Sequence, residues 1–188
     1  MDAITALLSR NSVNRLAEPG PTPEQIRTIV SAGLRACDHG NLRPWKFLLI
    51  EGSARAKFGE LMVKVKQAQD GAELPTELAE KLRNKPFRAP TIIVVVAAVQ
   101  KSAKIPEIEQ VLSAGASAQM MMTAAHAQGV GAIWRSGSLM FHAEMKKGLG
   151  LDQQQQIVGF IYLGTPAAVK PLPKLAPEEF LARWGESA

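Results

Sequence analysis

The sequence predicts an α+β domain in three layers, a sandwich with helices on both faces of a mixed central sheet. Three observations predict it. About four segments with strand character lie along the chain, and helical patterns separate them. Hydrophobic residues make up 46% of the 188 residues, enough for a sizeable core. Aromatics are only 5%, so that core must be mostly Ala, Val, Leu, Ile and Met.

The elements follow in order. Asp2 can cap a first helix that carries Ile4, Leu7 and Leu8 on one face. Pro19-Gly20-Pro21 breaks the chain. Thr22-Pro23-Glu24-Gln25 then reads as a capping box with Pro at the first helical position. Ile26, Ile29, Val30 and Leu34 continue at helical spacing, and this helix ends near Cys37. Trp45 to Ile50 reads as a buried strand. Ser53 is placed to cap a third helix whose Phe58, Leu61, Met62 and Val65 share a face, until Asp70-Gly71 breaks it. A short helix follows Pro75-Thr76. Thr91 to Val99 is β-branched and continuous, the pattern of a central strand buried on both faces.

Pro106 opens the longest helix, which runs to about Gln128 and stops at Gly129. From Ser113 to Ala118 it is built of small residues, which let another backbone approach closely. That marks either a central helix or a helix–helix seam between two subunits. Val130 to Trp134 and Gln156 to Gly164 are the remaining strands, with a helix around Phe141 to Lys147 between them. Beyond Pro166 the chain is Pro-rich without a core of its own. It would lie along another surface and could add a fifth strand in trans through Phe180 to Trp184. Neither a repeat nor a second domain interrupts residues 1–188.

Composition excludes several function classes. The formal charge of +5 is dispersed, and aromatics are not interleaved with basic residues as in single-strand nucleic-acid binders. One cysteine, Cys37, rules out a disulfide framework and a Cys-rich zinc site within one chain, and fits a reducing compartment. Taken alone, Cys37 reads as a small buried hydrophobe. The start Met1-Asp2 lacks the basic region of a signal peptide, and the apolar run at Ile92 to Val99 is too short to span a bilayer. A cytoplasmic protein without membrane or nucleic-acid partners is expected.

Several familiar sites fail on spacing. Gly129-Val130-Gly131 would need glycine at 134 for a dinucleotide fingerprint, and Trp134 stands there. Gly115-Ala116-Ser117-Ala118-Gln119 lacks the last glycine of a nucleophile elbow. The three histidines, His39, His126 and His142, form no metal-ligand pattern with carboxylates, so no metal is expected. Met120-Met121-Met122 reads as helix core. Two segments remain: Arg10-Asn11-Ser12 after the first helix, and Gly131 to Gly137 after the longest one. Each sets a guanidinium and a hydroxyl beside backbone that turns, groups suited to a phosphate or a polar heteroaromatic edge. They point to a nucleotide-like cofactor rather than a catalytic triad.

Arg10-Asn11-Ser12, Asn41-Leu42-Arg43-Pro44-Trp45 opening a strand, Ile133-Trp134-Arg135-Ser136-Gly137, and Gly164-Thr165-Pro166 closing the last strand occur in an order that resembles the nitroreductase family. The resemblance covers nearly the whole chain and is closest to a short, minimal subgroup. It implies a nitroreductase-like fold, an intertwined homodimer with two FMN sites at the subunit interface, and ping-pong hydride transfer from NAD(P)H to nitroaromatic or quinone-type acceptors. It also implies roles. Arg10 and Ser12 would hold the FMN phosphate and ribityl chain, with Asn11 supplying backbone contact. Arg35 and His39 would reach the same flavin from the second subunit. Trp134, Arg135 and Ser136 would line the isoalloxazine. Ala124, Ala125, His126, Ala127, Gln128 and Gly129 would touch the nicotinamide nucleotide.

The flavin would supply the redox chemistry, so no catalytic side chain is assigned. Much of the family has Lys or Arg two residues after the Ser; Asn14 stands here, and a neutral side chain stabilises an anionic reduced flavin less. Arg43 stands where Gln is common, and the stretch from Trp134 to Gly164 is short for a lid. A flavin carrier or sensor without turnover, a reductive dehalogenase and a flavin-fragmenting enzyme stay open on the same scaffold.

Overall fold

The computed structural model describes residues 1–101, 104–168 and 171–185. Along the chain it forms α1 (Ala3–Ser9), β1 (Arg15–Ala17), α2 (Pro23–Gly33), β2 (Trp45–Glu51), α3 (Ala54–Asp70) and α4 (Thr76–Asn84). Then come β3 (Thr91–Ala98), α5 (Glu107–Ala127), β4 (Gly131–Arg135), α6 (Ala143–Gly148) and β5 (Gln155–Ala168).

Local chemistry sets the boundaries. Asp2 accepts a hydrogen bond from the Thr5 N–H at 3.0 Å and starts α1. Thr22 and Gln25 close a reciprocal capping box on α2. Gly71, at φ +67°, ends α3 in the left-handed conformation that suits glycine. Ser53 does not cap α3 with its side chain. Its backbone is already helical at φ −67° and ψ −19°, whereas a capping residue needs an extended backbone to turn its oxygen onto the first turn.

The sheet is antiparallel at every pairing, not mixed. Helices between strands read as crossovers between parallel neighbours, and the reason this fails is specific. Phe160 to Leu163 of β5 pair with β3 on one side and with β4 on the other. The strands β3 and β4 therefore run the same way, joined by α5, with β5 inserted between them. A short strand, β1, also pairs with β5 and is too brief for a periodic signal. At the other end β2 pairs with β3 alone. As an edge strand it buries only Ile50, so the expectation of a buried strand there is corrected.

Alternation along β3 feeds two cores. Ile92, Val94 and Val96 meet Phe58 and Met62 of α3, Leu82 of α4 and Met145 of α6. Ile93 and Val95 face the other way, onto Ile29 of α2 and Ala118 and Met121 of α5. Each fully buried Val or Ile contributes about 1.5–3 kcal/mol, so this strand anchors both layers.

The small residues of α5 serve the inside of the chain. A Cβ on Gly33 of α2 would lie 2.7 Å from Met121 Cγ and 2.9 Å from Ser117 Oγ. The two helices thus pack closely where α2 carries no side chain, and along α5 Ser113, Ala114, Ser117 and Ala118 are buried. The central-helix reading of this stretch is the one realised within the subunit.

The first helix differs from expectation. Its Ile4, Leu7 and Leu8 are exposed, and only Ala6 is buried. Cys37 is also exposed rather than buried. Residues 171–185 form no strand and remain exposed, with a short helical turn at Pro177–Glu179. The expectation that residues 166–188 pack on another surface is corrected at 166–168, which end β5 and pair with β1 of the same chain; 169, 170 and 186–188 lie outside the described residues. Among the described residues, no helix is long and apolar enough to cross a membrane.

Candidate functional site

Two of the expected segments meet. The Val13 N–H donates to the Ala132 carbonyl at 2.9 Å, which ties Arg10-Asn11-Ser12 to the start of β4. Arg10 ends α1, its N–H bonded to the Ala6 carbonyl. Its Nη1 is buried and has no hydrogen-bond partner among the described residues. A buried donor left unpaired costs about 1–3 kcal/mol, more when charged, so this guanidinium is built for an acceptor. Asn11 Oδ1 accepts from the Ser12 N–H at 2.8 Å and fixes the turn, while Ser12 itself is exposed.

Strand alternation separates the next residues. Trp134 lies on the α5 face and Arg135 on the opposite one, beside Tyr162. The Trp134 indole occupies the place where a Cβ on Gly159 would stand, and its ring edge reaches to 3.9 Å from the Cβ position of Gly115. Glycine at 159 is what lets the indole lie flat on β5. Ser136 and Gly137 follow, exposed, at the mouth of a cavity of about 440 Å³. The side chain of Arg135 thus points away from the face that carries Trp134, leaving its backbone on the strand that the two share.

Arg35 and His39 lie elsewhere. Arg35 is exposed just past the end of α2. His39 donates from Nδ1 to Glu109 Oε2 at 2.7 Å, near the start of α5. Asp38 does not pair with His39. It accepts instead from the Arg43 N–H at 2.6 Å, which holds a loop where Asn41 and Arg43 both have positive φ. At the far end of α5, Ser9 donates its hydroxyl to the Thr5 carbonyl at 2.6 Å. Its oxygen is then free to accept from His126 Nε2 at 2.8 Å. Glu109 and His126 stand 17 positions apart on one helix, about 26 Å along its axis. One chain therefore does not bring His39 to Arg10 and Ser12.

The segment Ala124 to Gly129 is largely committed to packing. Ala125 is core, His126 holds α1, and Gln128 Nε2 donates to the Ala124 carbonyl at 3.1 Å. Ala127 and Gly129 are its exposed points. Sequence reasoning missed Lys85, Arg88 and Tyr162, which share the cavity with Arg135. The basic run Lys81, Arg83, Lys85, Arg88 was the available signal, but a charge run more often marks a solvated face.

Comparison with known proteins places this geometry in context. A profile described as "Nitroreductase family" matches residues 7–165. The chain is 46% identical over 166 residues to "Putative NAD(P)H nitroreductase YdjA" of Escherichia coli (strain K12), covering 88% of this chain and 89% of that protein. A solved "Nitroreductase-like Family Protein" from Bacillus cereus superposes with a TM-score of 0.81 at 20% identity, over 99% of this chain and 97% of its own. A structure from Desulfovibrio desulfuricans, described as "a putative nitroreductase in complex with fmn", gives a TM-score of 0.73 at 25% identity over 100% and 99%.

Proposed function

The chain belongs to the nitroreductase family, and from that membership we propose that it is an FMN-dependent oxidoreductase that takes reducing equivalents from NADH or NADPH and delivers them to nitroaromatic or quinone-type acceptors. The observation that carries this reading is the Arg10 guanidinium, buried at Nη1 without a partner and tied through Val13 to β4. A phosphate offers it charge-assisted hydrogen bonds, the strongest kind a side chain can make.

The residues divide the work. Arg10 and Ser12 hold the phosphate end, and the backbone at Asn11 steers the ribityl chain. Trp134 supports the ring system, and the backbone of Arg135 and Ser136 presents donors to its polar edge. The flavin supplies the redox chemistry, alternating between donor and acceptor in a ping-pong cycle. The protein orients it and excludes water, and no side chain acts as nucleophile or base. The exposed edge at Ala127 and Gly129 is the part of the Ala124 to Gly129 segment open to a nicotinamide nucleotide.

A homodimer completes the site. The partner subunit's Arg35 and His39 reach the flavin that Arg10 and Ser12 hold. In support, His39 and the end of α1 that carries Arg10 stand at opposite ends of α5 within one chain. In further support, Ile4 and Leu8 of α1 and Ile108 and Leu112 of α5 are apolar and exposed, at 64%, 76%, 62% and 64%. A second copy covers them, and residues 171–185, exposed in one chain, lie on that copy. The whole of 1–188 then forms one domain of an interlocked pair. The lone, exposed Cys37 suits a reducing compartment, so the cytoplasm is the proposed location.

Turnover tests the reading. Anaerobic addition of NADH or NADPH to FMN-loaded protein should bleach the flavin absorbance, and a nitroaromatic or quinone added afterwards should restore it. Bleaching without recovery on any such acceptor would instead support a carrier or sensor. Asn14, exposed where a cation would steady a reduced flavin, is the feature that favours that second reading.

A further inference from the structure

The cavity behind β4 has a character of its own. Three cations converge on it: Arg135 from β4, and Lys85 and Arg88 from the turn that follows α4. Arg135 Nε is buried without a hydrogen-bond partner, and its guanidinium carbon stands 5.9 Å from the centre of the Tyr162 ring. Among the described residues, none that lines it is an aspartate or glutamate. Among the described residues none of the three cations forms an ion pair. The neighbouring basic side chains that do pair, such as Arg83 with Glu60 and Lys64 with Glu144, are turned elsewhere.

Like charges gathered around one cavity without a counter-charge repel one another. Lys85 records this: burial first, then Arg88 and Lys81, hold its ammonium below the ordinary lysine range. Tyr162 is pushed above the ordinary phenol range by burial, against the pull of Arg135 and Arg88. It remains a neutral donor that can face an anion. Ser136 and Ser138 line its rim, and part of the wall is apolar, with Met62, Met145 and Phe160 buried there. A bare inorganic ion would leave that wall unused. At about 440 Å³ the space is within the range of small-molecule pockets.

We propose that this cavity binds a small organic carboxylate with an apolar body, its charge on Arg135, Arg88 and Lys85 and its body against Met62, Met145 and Phe160. The site adjoins the flavin face, since Trp134 and Ser136 also belong to its wall, but its cations lie on the far side of β4, where the Arg135 side chain stands beside Tyr162.

The test is calorimetric titration of the full-length protein with 1-naphthoate and with neutral 1-naphthamide, with and without saturating FMN. The acid should bind roughly tenfold more tightly than the amide, the difference expected of a charge-assisted contact. Arg88→Gln and Lys85→Gln should each remove most of that preference while FMN binding stays unchanged. Using two variants guards against one that misfolds. Equal affinity for acid and amide, or acid affinity unaffected in both folded variants, would overturn the proposal. Displacement of FMN by naphthoate would put the ligand in the flavin site and also overturn it. Inorganic phosphate binding as tightly as naphthoate would refute the apolar-body requirement.

Discussion

Arg10→Ala should weaken FMN binding by roughly 1.5–3 kcal/mol, about ten- to a hundredfold, while riboflavin binding changes little. The two ligands share the ring system and the ribityl chain and differ in the phosphate. Arg10 is held at the end of α1, so its guanidinium is positioned before any ligand arrives. The buried Nη1 has no protein acceptor, and a phosphate oxygen gives it one. Arg10→Lys should recover only part of the loss, because an ammonium cannot make the paired contacts of a guanidinium. Fluorescence titration of both ligands against the three proteins checks this. Equal losses for FMN and riboflavin would mean that Arg10 does not meet the phosphate.

A larger effect is expected from mixing two defective chains. Arg10→Ala removes the contribution of α1, and Arg35→Ala removes the one assigned to the partner. Each homodimer should bind FMN poorly. After subunit exchange, a mixed dimer regains one intact site, built from Arg10 of one chain and the unaltered Arg35 of the other. Random exchange should therefore restore about one site in four to tight binding. A site contained within one chain would regain nothing, because every chain would still carry a defect. The same model links assembly to cofactor: FMN should shift the monomer–dimer balance toward the dimer by the coupling free energy it gains there. Sedimentation with and without FMN measures that shift.

Much of the fold was legible because its signals are local. The capping box at Thr22 and Gln25, the breaker at Gly71, the β-branched run of β3 and the small residues of α5 each act through near neighbours. Strand direction was not legible. Helices between strands look alike whether or not another strand is inserted between the two they connect, and here β5 is inserted between β3 and β4. The apolar residues of α1 misled for a different reason. Helical spacing marks a face to be covered without saying by what, and this chain leaves Ile4, Leu7 and Leu8 exposed. At the site, Arg10-Asn11-Ser12 and Trp134 could be named from their neighbours, but the Val13 to Ala132 bond that joins them spans most of the chain. The grouping of Lys85 and Arg88 with Arg135 depends on how the turn after α4 folds back on the sheet, which no spacing encodes.

The most direct measurement of the central claim is the visible spectrum of the purified protein, with the released chromophore identified and counted. The account predicts a yellow protein that releases FMN on denaturation and, when saturated, holds one FMN per chain. A colourless protein that takes up no FMN at micromolar concentration would contradict it.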